Sequence, residues 1–327
     1  MTSVERLRLS LGTAIELGLS EGRLDVSPTT AFLMTYREGK CDANCAFCPQ
    51  ARESTSKTDR LSRIVWPDFP FLEVIERQDT LRRFRRICLQ CLNYPSVDSD
   101  AVEIVKGMRE VYSGPISVCI HPIPESSMER IRSAGATDIG IALDACTARL
   151  FDEIKGRKRR SPYTWRFHME SLKKAFKVFG QDHVTTHLII GLGESEEDAA
   201  RMILRLYSMG IRVGLFAFTS IEGTELENSD PPSLSSYRRL QVVRYLASRE
   251  EISEKDLEVD SDGRVTIDIS ESKLREALSS GMPFMTSGCP GCNRPYYHER
   301  PRGPMYNYPR RLTDEEIQEA IQETGLA

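Results

Sequence analysis

The chain has 327 residues, 40% hydrophobic and 28% charged, enough apolar material for one large domain or two small ones of ordinary globular composition. Its net charge of −4 argues against general nucleic-acid binding, and no run approaches the ~20 apolar residues of a membrane-spanning helix. The opening MTSVERLRLSLG is too charged for a secretory signal, so the nine cysteines are expected in a reducing, cytoplasmic setting, with metal-like spacings and not as disulfides.

Residues 4–19 carry apolar positions at helical spacing and read as a leading amphipathic helix. After Pro28 an apolar run, AFLMTY (31–36), reads as a first strand, followed by a cysteine-rich loop, CDANCAFCPQ (41–50). Residues 52–66 are a polar excursion, and Pro67 and Asp68 open a helix to about Gln78. Strand-like runs then recur at 85–91, 115–121, 137–143, 184–190 and 213–219, separated by helical stretches at 99–112, 125–134, 147–154, 163–179 and 194–209. Six strand–helix units with short connections predict parallel strands and an α/β fold of the TIM-type barrel class, partial or complete. A Rossmann sheet is the alternative, but GLGESEE (191–197) has the wrong glycine spacing for a dinucleotide fingerprint. Beyond 233 the sequence predicts a helix at 234–249, a short strand at 265–269, a helix at 271–280 and a closing helix at 313–323. Between the last two lies a tail rich in Pro, Gly and Tyr (286–312). The expected organisation is a helical lead-in (1–30), a barrel (31–250) and a C-terminal extension (251–327) that carries metal ligands and closes the barrel.

Cys41, Cys45 and Cys48 form a C-x3-C-x2-C triplet at the C-terminal end of strand one, where barrel chemistry sits. Three thiolates hold three corners of a 4Fe–4S cluster and leave the fourth iron open. A structural zinc site with a fourth ligand elsewhere is the other reading. The triplet, with Phe47 before its last cysteine, resembles the radical S-adenosylmethionine (SAM) superfamily, and the CPQ that follows resembles its biotin synthase branch. The resemblance implies that the open iron chelates SAM, which an electron from the cluster cleaves to methionine and a 5′-deoxyadenosyl radical.

Further pieces of the resemblance fall near strand ends. Asp144 in ALDA matches an acid on the SAM ribose, although the Asn that the family places two residues earlier is here Ala142. Arg166 matches an Arg that pairs with the SAM carboxylate. Ile190 matches an apolar contact to adenine, and Gly223 in IEGTEL matches a backbone element on the adenine edge. Taken singly, each has a plain structural reading: a helix cap for Asp144, surface for Arg166 and core for Ile190.

A second cysteine set consists of CLQC (Cys88, Cys91) and CPGC (Cys289, Cys292), four thiolates for an auxiliary cluster or for a zinc that staples the tail to the barrel. Residues three apart on a continuing strand face opposite sides, so Cys88 and Cys91 converge only if the strand ends between them. The biotin synthase resemblance instead pairs Cys88 with Cys119 and a third cysteine, whose position here is Thr185. Cys119 and Cys146 otherwise read as buried core cysteines. The tail CPGCNRPYYHERPRGPMYNYP, with LMTYREGKCDANCAFCPQARES upstream, resembles the archaeal-type two-protein lipoyl synthases. That resemblance implies sulfur insertion into an octanoyl chain on a lysine, with a second 4Fe–4S cluster as sulfur source and Ser287 as a further candidate ligand. The implied partners are an octanoylated lipoyl-domain or glycine-cleavage-H-type protein, a second related radical SAM subunit and an electron donor such as ferredoxin. Neither nucleic acid nor membrane is among them.

With five His and no evident nucleophile–base pair, ordinary acid–base chemistry is not the expectation. His187 is a candidate pocket residue, and Tyr296, Tyr297 and Tyr306 are candidates for an acyl channel or for loop anchoring. Two basic runs, LRRFRR (81–86) and KGRKRR (155–160), read as solvated surface or anion contacts, the second also as a face for an acidic protein substrate. Alternative readings are biotin synthase-like or other radical chemistry on a small molecule, and a non-catalytic iron–sulfur or zinc protein.

Overall fold

A computed structural model describes residues 4–299 and 302–326. The chain begins with strand β1 (Arg6–Leu9), helix α1 (Leu11–Glu16) and strand β2 (Thr30–Thr35). Strands β3 (Arg60–Leu61) and β4 (Ile64–Val65) form a hairpin within the excursion, and β5 (Asp68–Pro70), α2 (Phe71–Glu76) and α3 (Gln78–Leu81) come next. The repeat then runs β6 (Arg86–Gln90), α4 (Val97–Val111), β7 (Ile116–Cys119), α5 (Glu125–Ser133), β8 (Asp138–Gly140), α6 (Ala148–Ile154), α7 (Trp165–Phe179), β9 (Val184–Ile190), α8 (Glu196–Ser208) and β10 (Arg212–Ala217). The C-terminal part adds α9 (Leu234–Ser248), a hairpin of β11 (Leu257–Val259) and β12 (Val265–Ile267), α10 (Glu271–Ser279) and α11 (Asp314–Thr324).

Strands β2, β6, β7, β8, β9 and β10 lie side by side and parallel, in chain order, as the six strand–helix units require. The sheet is therefore an open, partial barrel, with β1 and β5 added antiparallel beyond β2. Outward helices cover it with apolar stripes; α4, for example, buries Val97, Ala101, Ile104, Val105 and Met108. No helix among the described residues is long and apolar enough to cross a membrane.

The lead-in differs from its expected helix. Residues 6–9 (RLRL) alternate charged and apolar, and the sheet edge captures that period: Leu7 and Leu9 are buried while Arg6 pairs with Asp68 at 2.5 Å. Asp68 accordingly belongs to strand β5, and helix α2 starts only at Phe71. The Ser10 hydroxyl accepts from the Thr13 amide and restricts helix to the short α1.

The tail fills the open flank between β10 and β2. The Leu215 amide donates to Ser287 Oγ (2.9 Å), the Thr29 amide to Asn293 Oδ1 (2.9 Å), and the Phe32 and Tyr297 rings stand 5.1 Å apart. Helix α9 anchors the end of the tail and helix α11. It is buried on several faces, and its fully buried Arg238 pairs with Glu323 (2.8 Å) and donates to the Met305 and Tyr306 carbonyls.

Candidate functional site

At the C-terminal ends of the strands, the loop after β2 folds back on itself. The Cys41 amide donates to the Gln50 carbonyl (2.9 Å) and the Cys48 amide to the Cys45 carbonyl (3.0 Å). Neighbouring loops hold it in place, Asp42 N–H donating to the Asn93 carbonyl (2.8 Å) and Ala46 N–H to the Ile154 carbonyl (2.8 Å), while Lys40 Nζ closes the loop on its own Pro49 carbonyl (2.6 Å). Backbone fastening fixes three half-buried thiols, and backbone N–H groups also reach the sulfurs, that of Asn93 donating to Cys41 Sγ at 3.1 Å. Burial pushes all three thiols up, Cys48 to about 12.

Asp144 stands beside this loop with φ +66°, a conformation that non-glycine residues rarely hold. Its Oδ2 lies 2.5 Å from Lys155 Nζ and its Oδ1 2.9 Å from His187 Nε2. Burial works to raise the Asp144 carboxyl, but the Lys155 ammonium and then His187 outweigh it and hold it well below the carboxylate range. Burial likewise acts to lower Lys155, and Asp144 with the Cys45 and Cys48 sulfurs raises it instead. The pair is therefore ionic, with a buried cation facing two loop thiols.

Below the loop lies a cavity of about 200 Å³. Its upper wall includes Phe47, Cys48, Asp144 and His187, its sides Phe32, Leu61, Phe216, Phe218 and Ile221, and its lower wall Cys88, Cys119, Cys289 and Cys292. The CPGC turn reaches it from the N-terminal ends of the strands. Thr29 Oγ1, just before β2, donates to the Gly291 carbonyl (2.6 Å), and Ser117, near the start of β7, is 3.8 Å from Cys289 Sγ. The Cys88 and Cys119 sulfurs are 3.8 Å apart, and their contact drives Cys88 up and Cys119 down. Burial pushes Cys289 up to about 12. Gly140 makes room here, since a Cβ would stand 2.9 Å from Cys119 Sγ.

This arrangement changes the expected second set. Cys88 and Gln90 face the cavity and Cys91 does not, because strand β6 keeps its period of two through Gln90. Cys91 instead packs against the core, its amide donating to the Cys119 carbonyl at 2.8 Å. Cys119, expected as an inert core residue, takes its place, and Cys146 is buried as expected. Ser287 lines the cavity with its hydroxyl accepting from the Leu215 amide.

Other expected residues are dispersed. Arg166 lies on α7 with its side chain 88% exposed, paired with Glu170. Guanidinium groups beside the triplet are Arg37, paired with Asp42 (2.7 Å), and Arg159, which donates to the Asn44 carbonyl (3.2 Å) and pairs with Glu225. Ile190 belongs to the core, and strand alternation turns Thr185, His187 and Ile189 to the cavity instead. Gly223 (φ +80°) ties its carbonyl to Thr55 N–H (2.9 Å) and its amide to Glu227 Oε2 (2.6 Å), lining a second cleft with Cys45 and Cys48. Tyr297 lines the main cavity, whereas Tyr306 anchors the tail by donating to the Pro232 carbonyl (2.7 Å). The basic run 155–160 is largely neutralised, by Asp144, Glu153, Glu225 and Glu53.

Sequence reasoning missed Lys155, Arg86, Arg294 and His298. Arg294 stacks on Phe216 (3.7 Å to the ring centroid) and donates to the Ser287 carbonyl (3.1 Å). His298 packs edge-on against Phe216 (4.6 Å), and both its ring nitrogens are buried without a hydrogen-bond partner, a gap that a cavity ligand would fill.

The donor sets fit iron–sulfur ligation. Both sets offer thiols, the usual ligands of such clusters, and Cys48 of the first borders the same cavity as Cys88, Cys119, Cys289 and Cys292 of the second. Residues 39–206, 168 of the 327, match the Radical SAM superfamily. The biotin synthase of Prochlorococcus marinus (strain NATL2A) is 28% identical over 232 residues, 67% of this chain and 60% of that protein. The biotin synthase of Synechococcus sp. (strain WH7803) is 28% identical over 231 residues, 66% of this chain and 64% of that protein. The chain thus spans less than two thirds of the length of these relatives. Among solved structures, the FeFe-hydrogenase maturase HydG from Carboxydothermus hydrogenoformans superposes with a TM-score of 0.52 at 16% identity, covering 90% of this chain and 66% of that one. At that identity the likeness concerns the fold alone.

Proposed function

The chain belongs to the radical SAM superfamily, and from that premise we propose that it inserts sulfur into an unactivated C–H bond of a protein-bound octanoyl-lysine, together with a related second chain. The observation that carries this reading is the second thiol set, Cys88, Cys119, Cys289 and Cys292, on the cavity that the Cys41–Cys45–Cys48 loop overlooks. When bound, SAM and its 4Fe–4S cluster supply a carbon radical able to take hydrogen from such a bond, and an auxiliary cluster supplies the sulfur.

The chain's own residues do the positioning. Cys41, Cys45 and Cys48 hold the first cluster, and Asp144, kept ionic by Lys155 and His187, accepts hydroxyl hydrogen bonds from SAM. Phe32, Leu61, Phe216, Phe218 and Ile221 give an acyl chain an apolar path and keep water from a radical. The four lower thiols hold the auxiliary cluster at the far end of that path. The lipoyl assignment draws on the resemblance of the CPGC tail, and the partners derive from it: an octanoylated lipoyl-domain-type protein, a sister radical SAM chain and a low-potential electron donor.

Sulfur insertion into a small molecule is the second reading, favoured by the similarity to biotin synthases. Thr185, at the position of the third donor-cluster cysteine, weighs against biotin itself. The test is the mass of an octanoyl-lysyl peptide after anaerobic incubation with reconstituted protein, SAM and reductant. One added sulfur with 5′-deoxyadenosine is expected. Abundant 5′-deoxyadenosine with no sulfur on the peptide, but sulfur on dethiobiotin, establishes the second reading instead.

A further inference from the structure

Both basic runs of the sequence turn one residue inward. In 155–160 it is Lys155, beside the upper thiols; in 81–86 it is Arg86, and nothing in the chemistry above uses it. Arg86 opens strand β6 two residues before Cys88, so the two side chains share the interior face. Its Nη1 donates to Asp138 Oδ2 (2.7 Å) and to Ser117 Oγ (2.6 Å), and that hydroxyl lies 3.8 Å from Cys289 Sγ. The Arg86 and Asp138 side chains are only 5% and 4% exposed, and Arg86 Nε is buried with no hydrogen-bond partner. His183 adds its ring 3.6 Å from the other Asp138 oxygen, and within the tail Arg294 donates to the Ser287 carbonyl (3.1 Å).

A guanidinium buried with an unused N–H is disfavoured unless something accepts from it. Asp138 already balances the charge of Arg86, so what the pair leaves unmet is the Nε–H, and sulfur is the acceptor this site offers. We infer that Arg86 is a positioning residue of the auxiliary site, locked by Asp138 and Ser117 beneath Cys88 and Cys289, where its Nε–H donates to sulfur. The inference rests on the reading that these four thiols carry a second cluster. Hydrogen bonds to the sulfurs raise the potential of such a cluster by favouring its reduced form, so Arg86 raises it.

The experiment uses the full chain, anaerobically reconstituted, as the unsubstituted protein, Arg86→Lys, Arg86→Met and Arg86→Met/Asp138→Asn. Iron and sulfide per chain, and the midpoint potential of each cluster by EPR-monitored titration, are read together with thermal stability. The double variant removes both members of the buried pair and is expected to fold where Arg86→Met alone leaves Asp138 unpaired. Its auxiliary cluster is expected to be lost or to become about tenfold harder to reduce, a potential about 59 mV more negative, while the SAM cluster keeps its potential. Arg86→Lys keeps the charge but not the Nε–H and is expected to shift in the same direction by less; it carries the test if neither neutral variant folds. An auxiliary potential and iron content unchanged in the variants that fold, or equal shifts of both clusters, overturns the inference. A single cluster in the unsubstituted chain overturns the two-cluster reading and the inference with it.

Discussion

The two ends of the cavity are built in opposite ways. At the upper end three cysteines within eight residues share one loop, which the backbone of Asn93, Ile154 and Leu226 clamps from outside. At the lower end four cysteines come from two strands and a tail 170 residues further along, and they meet only because that tail closes an open barrel. A local constellation needs only its own loop to fold. A distributed one depends on the whole topology and is exposed to any loss of packing in the C-terminal part. The difference predicts that the two sites fail separately.

Substitution at the triplet has the largest expected effect. Cys45→Ala is expected to bring 5′-deoxyadenosine formation to background and to leave the lower cluster's iron in place. Iron lost from both sites alike would show that the ends are not independent. Next is Cys289→Ser/Cys292→Ser, expected to stop sulfur insertion and roughly halve the iron per chain while SAM cleavage continues; this would falsify the reading if peptide thiolation persisted.

The exchange of Cys91 for Cys119 gives a sharper contrast. Cys119→Ala is expected to lower auxiliary iron and product formation, whereas Cys91→Ala is expected to retain both, as Mössbauer spectra of the two variants would show. The reverse ranking restores the CLQC pairing. Smallest is Lys155→Met, which leaves Asp144 buried without its cation. SAM affinity, measured by equilibrium dialysis on protein with its cluster intact, is expected to fall about 10–100-fold, the usual range for a residue that orients ligands. The same substitution is expected to destabilise the fold by about 3–5 kcal/mol, and unchanged SAM affinity in a destabilised protein assigns Lys155 a structural role only.

The fold was legible because six apolar runs alternate with amphipathic helices, a pattern with few topological solutions. The triplet was legible because its ligands are close in sequence. What escaped depended on direction and on distance along the chain. RLRL at 6–9 fits either period until a sheet edge is there to receive it. Cys91 lies three residues from Cys88, and its facing depends on where β6 ends. Ile189 and Ile190 differ only in facing, which alternation along β9 decides. Arg86 and Lys155 were hidden in runs of surface arginines, where composition alone gives no sign of which member turns inward. Their one sequence signal is position: Arg86 shares the face of Cys88, and Lys155 comes directly after the helix that starts beyond Asp144.

The most direct test of the account is the origin of the inserted sulfur. Protein whose clusters are assembled with heavy-isotope sulfide is given an octanoyl-lysyl peptide, SAM and reductant, with no other sulfide present. The account predicts heavy sulfur in the peptide with 5′-deoxyadenosine, abolished by Cys289→Ser/Cys292→Ser. Light sulfur in the product, or heavy sulfur that survives loss of the CPGC thiols, contradicts it.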